Sequence, residues 1–372
     1  MQYWFFFNIL NVRKLLIYNK LVMNVYELSE REKSILRFVI HQFILTANPV
    51  GSRNISKKYN IGLSPATIRN IMSDLEESGF LGHPHTSAGR VPTDKGYRFY
   101  VDSLMDVPRL GTLEKRKIDF EIEKGATETD ELLKITSMIL SDITNQLACV
   151  TYPKFDTAVL EKIQILQLSS TRLLVVISVS SGIVKTITLE LDVEINFEKV
   201  SAVERILNER LSGLQFSEIR KTFEERVKSY LTDEYKPIIR LFIDSSDKLF
   251  KDIKVDEKSV ISGAKNILKQ PEFEDHGNFQ GIIELIENKE IVVHIMDRNI
   301  SHLNDNVRIL IGSENEDEIL SEYSMITKEY KFGDVHGSVG IVGPKRMEYS
   351  KVVASVVYIA ELLSKELKKK HL

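Results

Sequence analysis

Apolar residues recur at helical spacing in the first part of the chain. The run after Ser29 opens with a capping box, because Glu32 stands three residues further on, and Asn48-Pro49 stops it. A second, shorter helix is predicted over 52–59. Two helices are therefore expected before residue 60.

The third helical run is the best delimited. Ser64 suits the N-cap, Pro65 suits the first helical position, where its missing N–H costs nothing, and Gly79 suits the C-terminal end. Short strands are then predicted at 80–81 and 90–91, and Thr93 caps a fourth helix. The order helix, helix, helix, hairpin, helix is typical of a winged helix-turn-helix.

After residue 107 the helices alternate with strand-like runs. An amphipathic helix over 132–147 comes first, and a helix over 349–367 comes last. Residues from about 196 to 255 are charged and helical in pattern, without a strand run. The strand-like runs are KIQILQLS, RLLVVISVS, GIVKTITLEL, GIIELIE, IVVHIM, VRILIGS and SVGIVG. The pattern predicts an α+β fold with one mostly antiparallel sheet, interrupted by a helical insertion.

The composition is that of an ordinary globular protein. The 372 residues are 43% hydrophobic and 28% charged, which suits two or three domains. The single cysteine, Cys149, excludes an internal disulfide framework, fits a reducing cytoplasm, and stands in an apolar run that indicates a buried core thiol. Residues 1–22 contain an apolar stretch too short for a membrane span and lack the charge order of a secretory signal. We expect them to be a dispensable or wrongly assigned extension.

The net charge of −3 conceals an asymmetry. Residues 1–110 hold 14 Lys/Arg against 9 Asp/Glu, whereas the remainder holds 36 against 44. Between Gly51 and Ser73 there are four basic residues and no acidic one. A small basic region on an acidic body indicates a polyanionic partner for that region, although a positive solvated face has the same composition.

The third helix carries the residue types that a DNA-reading helix needs. Small side chains permit close approach to the major groove, and short polar ones reach base edges, with Asn suited to adenine and Arg to guanine or phosphate. In the following loop, a glycine permits close approach to a backbone, and hydroxyl and guanidinium groups offer donors. The expected DNA contacts are Arg53, Lys57, Lys58, Ser64, Ala66, Thr67, Arg69, Asn70, Ser73, Thr86, Ser87, Gly89 and Arg90. The alternative is a winged helix used for protein contacts.

The sequence offers no pattern for catalysis, a metal or a cofactor. His83 and His85 stand close together, but they lack the cysteines or paired carboxylates of a metal site. Gly337, Gly340 and Gly343 match neither the dinucleotide fingerprint nor a P-loop, so we interpret them as close-packing residues, with a small-ligand pocket as the alternative. We expect no catalytic residues, no metal and no cofactor, and a chain that is not an enzyme.

A set of longer motifs points to a family. PVGS, LSPATIRN, DLE, HTSAGR-PT and KGYRFYVD between Leu28 and Leu104 together closely resemble the N-terminal domain of the HrcA family of bacterial heat-inducible transcription repressors. The resemblance returns at RILIGSENE and FGDVHGSVGIVGPKRMEYSKVV, and it covers nearly the whole chain from about Asn24. Gly82 and His83 depart from the family, whose members often carry a Glu-Gln or similar pair there.

The resemblance implies three parts after the extension at 1–22. These are a winged-helix DNA-binding domain at 23–106, a GAF-like domain at 107–195 and 256–372, and an inserted dimerising segment at 196–255. It also implies a homodimer that binds an inverted-repeat operator in double-stranded DNA and represses heat-shock chaperone operons. Repression would depend on the GroE chaperonin and end when heat stress titrates the chaperonin away. The alternative is a winged-helix regulator that responds to a small metabolite through the GAF-like pocket.

Overall fold

The described part of the protein consists of helices and antiparallel strands, which confirms the α+β class. The computed structural model describes residues 28–370, with gaps at 60, 84–88, 107, 126–128, 195–196, 233–234, 251–258, 275, 299–306, 316 and 318. The predicted extension at 1–22 therefore lies outside the described residues. Unit 1 contains the described residues up to Val150, with Ser259–Glu329 and Ser338–Leu362, and unit 2 contains Thr151–Lys258, Tyr330–Gly337 and the described residues from Leu363.

Four helices and a hairpin form the first part of unit 1. They are α1 (Glu30–Thr46), α2 (Ser52–Lys58), α3 (Pro65–Glu77), β1 (Leu81–Gly82), β2 (Val91–Pro92) and α4 (Asp94–Phe99), which continues as a π-helical turn over Tyr100–Leu104. The predicted capping box is present, since Ser29 and Glu32 each accept the other's backbone N–H. The strands lie one residue later than predicted, with Leu81 opposite Pro92.

The remaining elements begin at residue 112. In chain order they are α5 (Thr112–Gly125), α6 (Thr129–Thr144), β3 (Leu147–Thr151), β4 (Leu160–Gln167), β5 (Arg172–Val179), β6 (Val184–Glu190), α7 (Phe197–Leu211), α8 (Phe216–Val227), α9 (Lys236–Asp244), α10 (Ser246–Phe250), β7 (Ser259–Ser262), α11 (Ala264–Ile267), α12 (His276–Glu287), α13 (Lys289–Arg298), β8 (Arg308–Ile311), β9 (Tyr323–Phe332), β10 (Val335–Pro344) and α14 (Tyr349–Lys370).

Two larger sheets take the place of the single sheet that the pattern predicted. One has five strands in the order β7-β3-β10-β9-β8, and the other is a three-stranded sheet, β4-β5-β6. The strands β4, β5 and β6 follow one another through short turns and pair antiparallel along their length, so they close into a sheet of their own. Cys149 lies opposite Gly340 in the five-stranded sheet and is buried, which confirms the core thiol.

The predicted strands GIIELIE and IVVHIM are wrong, because both segments are helical and lie in α12 and α13. Ile282, Leu285, Val292 and Met296 are buried in one apolar cluster. Within each segment these residues are three or four positions apart, which places them on one face of a helix. Short apolar runs rich in β-branched residues suit a buried strand equally well, so the pattern alone misled the prediction.

The glycines of the segment that includes β10 are close-packing residues, as interpreted from the sequence. A Cβ atom on Gly340 would lie 2.7 Å from the backbone oxygen of Ile326, and one on Gly337 would lie 2.6 Å from the ring of Tyr330. A Cβ on Gly343 would overlap the side-chain amide of Gln146. No larger residue fits these positions without a shift of the neighbouring atoms.

Unit 2 combines the three-stranded sheet with the charged helical stretch. Asn208 on α7 bonds both the backbone N–H and the C=O of Ile163, each at 2.8 Å, and Glu204 accepts the N–H of Ile165 at 2.8 Å. These side chains satisfy the edge of β4, which would otherwise present unpaired backbone groups. The strands expected in the GAF-like domain thus lie with helices α7–α10 in one unit, and the predicted domain edges stay predictions.

Candidate nucleic-acid interface

The N-terminal turn of α3 is organised by its own residues. The hydroxyl of Ser64 accepts the backbone N–H of Thr67 at 3.1 Å, and Pro65 occupies the first turn. This cap satisfies one of the otherwise unbonded N–H groups of the helix start and leaves others directed outward. A helix terminus of this kind attracts an anionic group such as a phosphate oxygen.

The outward face of α3 is exposed and largely unbonded. Ala66, Thr67, Arg69 and Asn70 are exposed, and Ser73 is half-buried. The Arg69 and Asn70 side chains make no hydrogen bond or ion pair with any other residue that the structure describes. On the opposite side, the helix is anchored by the buried residues Ile68, Met72 and Leu75. A rigid helix therefore presents polar side chains that are free to contact a partner.

The basic residues of α2 lie on the surface of the same three-helix region. Arg53, Lys57 and Lys58 are exposed, while Ile55 is buried and anchors the helix. Lys58 donates to the side-chain oxygen of Gln42 at 2.7 Å. Arg53 and Lys57 have no such partner among the described residues. Their charges are available to an external anion.

The hairpin is only partly described. Thr86, Ser87 and His85 lie outside the described residues. Gly89 is buried, and a Cβ atom there would lie 2.7 Å from the backbone carbon of Pro49. Val50 and Arg90 also exchange both backbone hydrogen bonds at 2.9 Å. The structure gives Gly89 a packing role that sequence reasoning did not foresee, and its predicted DNA contact stays a prediction.

Arg90 is already engaged within the protein. Its guanidinium forms a salt bridge of 2.7 Å with Glu76 on α3, with both side chains about a quarter exposed, at 22% and 29%. A second guanidinium nitrogen lies 3.3 Å from Nδ1 of His83. Arg90 therefore ties the hairpin to α3, and a phosphate would have to compete with Glu76 for it.

A charged face of α4 was missed by the sequence reasoning. Arg98 donates from Nε to Glu314 at 2.8 Å, from Nη2 to the backbone oxygen of Ile309 at 2.7 Å, and from Nη1 to Asp102 at 3.2 Å. Burial is the largest single influence on the pKa of Arg98 and lowers it, but the hydrogen bonds and charges of Glu314 and Asp102 together outweigh burial and raise the pKa. The signal available in the sequence was the i, i+4 spacing of Asp94, Arg98 and Asp102.

A cleft of about 590 Å³ lies beside α4. Its lining includes Tyr97, Phe43, Tyr323 and Arg346. The Tyr97 hydroxyl is buried without a hydrogen-bond partner in the described part of the chain, and burial raises its pKa well above the ordinary value. Among the residues described, no cluster of three His, Cys, Asp or Glu side chains could hold a metal ion. The same residues include no helix long and apolar enough to cross a membrane.

The three-stranded sheet of unit 2 has an apolar outer face. Leu166 and Val184 are 54% and 55% exposed, and Leu168 just beyond β4 is 55% exposed. Half-buried Leu174 lies directly opposite Leu166, and half-buried Val176 follows it on the same side of β5. Polar residues such as Gln164 and Thr186 share this face, and the exposed apolar side chains among them are candidates for contact with another molecule.

The chain matches known proteins along most of its length. A family model described as "HrcA protein C terminal domain" matches residues 130–353. The "Heat-inducible transcription repressor HrcA" of Chlorobium phaeobacteroides strain BS1 is 38% identical over 353 residues, covering 93% of this chain and 100% of the relative. The proteins of the same name from Chlorobium limicola and Chlorobaculum tepidum are each 41% identical, covering 93% of this chain and 99% of theirs.

A solved structure also resembles the chain. The crystal structure of a hypothetical protein at 2.2 Å resolution superposes with a TM-score of 0.55 at 22% sequence identity, and the match covers 92% of this chain and 100% of that one. At this identity the likeness concerns the fold alone.

Proposed function

The chain belongs to the HrcA family, and from that membership we propose that it is a DNA-binding repressor of heat-shock chaperone operons. Its relatives at 38–41% identity carry the name heat-inducible transcription repressor. The observation that carries the DNA-binding part is the outward face of α3. That face is exposed, unbonded at Arg69 and Asn70, and held rigidly from below.

In the proposed complex, α1 to α4 and the hairpin act as a winged helix-turn-helix whose recognition helix is α3. The small residues Ala66 and Thr67 permit close approach to the major groove, and Asn70 and Arg69 read base edges there. Arg53, Lys57 and Lys58 on α2 contact the phosphate backbone, which adds affinity without sequence preference.

We further propose that the repressor is a homodimer joined through the outer face of β4-β5-β6, which lies in the same unit as the predicted dimerising segment at 196–255. Leu166, Leu168 and Val184 on that face are exposed in the single chain. Two copies would bury this apolar surface against each other. A dimer also explains how one modest DNA contact becomes a tight one, because the second half-site is bound as an intramolecular event.

The experiment that tests DNA binding is a gel shift of the full chain on an inverted-repeat operator. Asn70→Ala is expected to cost about 1–3 kcal/mol on the specific site, because it removes a side chain that reads a base edge. The matched control is Gln280→Ala, which removes an exposed helical amide from α12, an element outside the proposed winged helix. Equal operator binding by wild type and Asn70→Ala would contradict the placement of the recognition helix.

We propose that heat releases the repressor through the chaperonin. Support comes from the family resemblance and from the heat-inducible function in the names of the relatives. The repressor refolded with the GroE chaperonin is expected to recover more operator binding than repressor refolded without it. If both preparations bind equally and remain in solution on heating, chaperonin control is wrong.

A second candidate function is regulation by a small metabolite. The cleft beside α4 and the unpartnered Tyr97 hydroxyl favour it, because a buried hydroxyl without a partner has a desolvation cost that a ligand could remove. Operator binding measured with a panel of metabolites, against binding measured with chaperonin, separates the two functions. A metabolite that changes operator affinity without chaperonin supports the second candidate.

A further inference from the structure

A network of charged side chains attaches α4 to the turn that follows β8. Besides its bonds to Arg98, Glu314 accepts the backbone N–H of Ile311 at 2.9 Å. Asp94 accepts the N–H of Ser313 at 3.1 Å, and its carboxylate lies so close to Gly312 that a Cβ atom there would overlap it. The backbone of the turn therefore packs directly against the Asp94 side chain of α4.

The turn is rigid before it meets α4. The side-chain nitrogen of buried Asn315 donates to the backbone oxygens of Gly312, Leu320 and Tyr323, each at 2.9 Å. These three bonds hold Gly312–Asn315 in place from the side of the sheet. Glu314 thus projects from a fixed support, and the position of its carboxylate determines where Arg98 lies.

A second attachment holds the end of α1. Arg346 donates from Nη1 to the backbone oxygen of Ile44 at 2.6 Å and from Nη2 to Glu272 at 3.0 Å. The adjacent Lys345 forms a 3.1 Å ion pair with Asp94 on α4. Two attachment points on different helices resist rotation of the three-helix region, which a single point would allow.

The attachment combines directed polar contacts with a buried contact between the rings of Tyr97 and Tyr349, whose centroids are 5.9 Å apart. Arg98 and Glu314 are 17% and 33% exposed, so their bonds form with little competition from water. Each side also has buried apolar residues of its own, including Ile35 and Leu75 in the three-helix region and Ile282 and Met296 below the sheet. Charge-assisted bonds between planar groups fix an angle better than an apolar contact does.

We propose that Glu314, acting through Arg98, is a positioning residue that sets the angle of α3 and thereby the spacing of the two half-sites that the dimer accepts. This inference rests on the proposed function. Each added base pair moves a half-site by about 3.4 Å along the axis and turns it around the duplex, so a fixed angle selects one spacing. A loosened attachment would let α3 follow half-sites at several spacings, with a lower affinity at the best one.

The test is a binding series with the full chain on inverted repeats whose spacers differ by one base pair, together with a single half-site. Glu314→Gln keeps the size of the side chain but removes the charge and places an amide N–H against the Arg98 guanidinium. The expected loss is about tenfold at the optimal spacer and less than about twofold at neighbouring spacers and on the half-site. The matched control is Glu218→Gln, which breaks the Glu218–Arg226 pair within α8 of unit 2, and its profile should match wild type.

The outcomes separate the two proposals. A uniform loss at every spacer and on the half-site, or an unchanged profile, would overturn the positioning role. A wild-type profile that is already flat would overturn it as well, yet leave the repressor proposal in place. Absence of wild-type binding at every spacing would overturn the repressor function itself, and the positioning role with it.

A second variant covers the case in which Glu314→Gln fails to fold, which thermal unfolding of the variant will detect. Lys345→Gln removes the other contact with Asp94 and leaves the turn intact. In this variant operator affinity should fall by about threefold at the optimal spacer and less at the other spacers, so affinity should depend less on spacer length than in wild type. If Lys345→Gln keeps the wild-type dependence of affinity on spacer length, attachment at two points is wrong.

Discussion

Helices α3 and α4 both carry polar residues beside their buried ones, yet these polar residues have different environments. Arg69 and Asn70 on α3 are exposed and make no side-chain bond within the described residues. On α4 and the π-helical turn that continues it, Asp94, Arg98 and Asp102 all bond to other side chains or to backbone groups. The first face is available to a partner, and the second is already used inside the molecule.

The difference follows from how charge is balanced along the chain. Between Gly51 and Ser73 every charged residue is basic, so α2 and the first turns of α3 carry positive charge only, and the acidic residues of α3 stand at its C-terminal end, at Asp74, Glu76 and Glu77. On α4 opposite charges alternate at i, i+4 spacing, a pattern that supports intramolecular pairing. An unbalanced face indicates an external counter-charge, whereas a balanced one indicates an internal contact.

The largest expected effect is that of Arg98→Ala on folding stability. The change leaves the carboxylates of Glu314 and Asp102 partly buried without their cation, so the free energy of unfolding should fall by about 2–3 kcal/mol. Urea unfolding measures it, with Arg69→Ala as the matched control at less than about 0.5 kcal/mol. Equal losses for the two arginines would remove the contrast between α4 and α3.

The second largest effect concerns DNA binding, where the exposed Arg69 should matter more than an arginine that is already paired within the protein. Arg69→Gln should weaken specific operator binding by about 1–2 kcal/mol, because it removes a cation that no intramolecular partner holds. Arg90→Gln should weaken it less, because Glu76 already engages the Arg90 guanidinium. Fluorescence anisotropy with labelled operator compares the two. A larger loss for Arg90→Gln would show that the Glu76 pair opens on DNA.

A smaller effect tests whether α2 contacts the phosphate backbone. Lys57→Gln should reduce the slope of log affinity against log salt by about 1, with a similar loss on specific and unrelated DNA. The matched control is Lys369→Gln at the other end of the chain, where the ammonium pairs with Glu366 at 2.6 Å. Loss on the operator alone would assign Lys57 to base reading instead.

The smallest effect is a pH dependence of folding stability caused by Asp102, in the π-helical turn that continues α4. Burial raises the pKa of Asp102 above its ordinary value of 3.8, although Arg98 opposes this. The folded protein then holds this proton more tightly than the unfolded chain, so wild type loses stability as pH rises through the folded pKa. Relative to Asp102→Asn, wild type should gain under about 1 kcal/mol between pH 7 and pH 4. Urea unfolding at both pH values checks the sign, and a relative loss at low pH would contradict it.

The candidate interface was better predicted than the sheets were. Ser64, Pro65 and Gly79 delimit α3 by local chemistry, since a capping hydroxyl, a missing N–H and a positive φ act within a few residues. The strands β3, β7 and β9 were not predicted, the helix expected to reach residue 147 ends at Thr144, and two helical segments were read as strands. Whether such a segment becomes a helix or a strand depends on the residues that pack against it in the fold, and these are distant in the sequence.

By itself, the sequence determined the caps and buried stripes of the first helices, the α+β class and the basic stretch from Gly51 to Ser73. These properties depend on residues a few positions apart or on simple counts of charge. Only the tertiary structure separated the strands into two larger sheets, packed Gly89 on Pro49 and brought Arg98 to Glu314. Arg98 and Glu314 are 216 positions apart in the chain, and local sequence patterns do not encode such a contact.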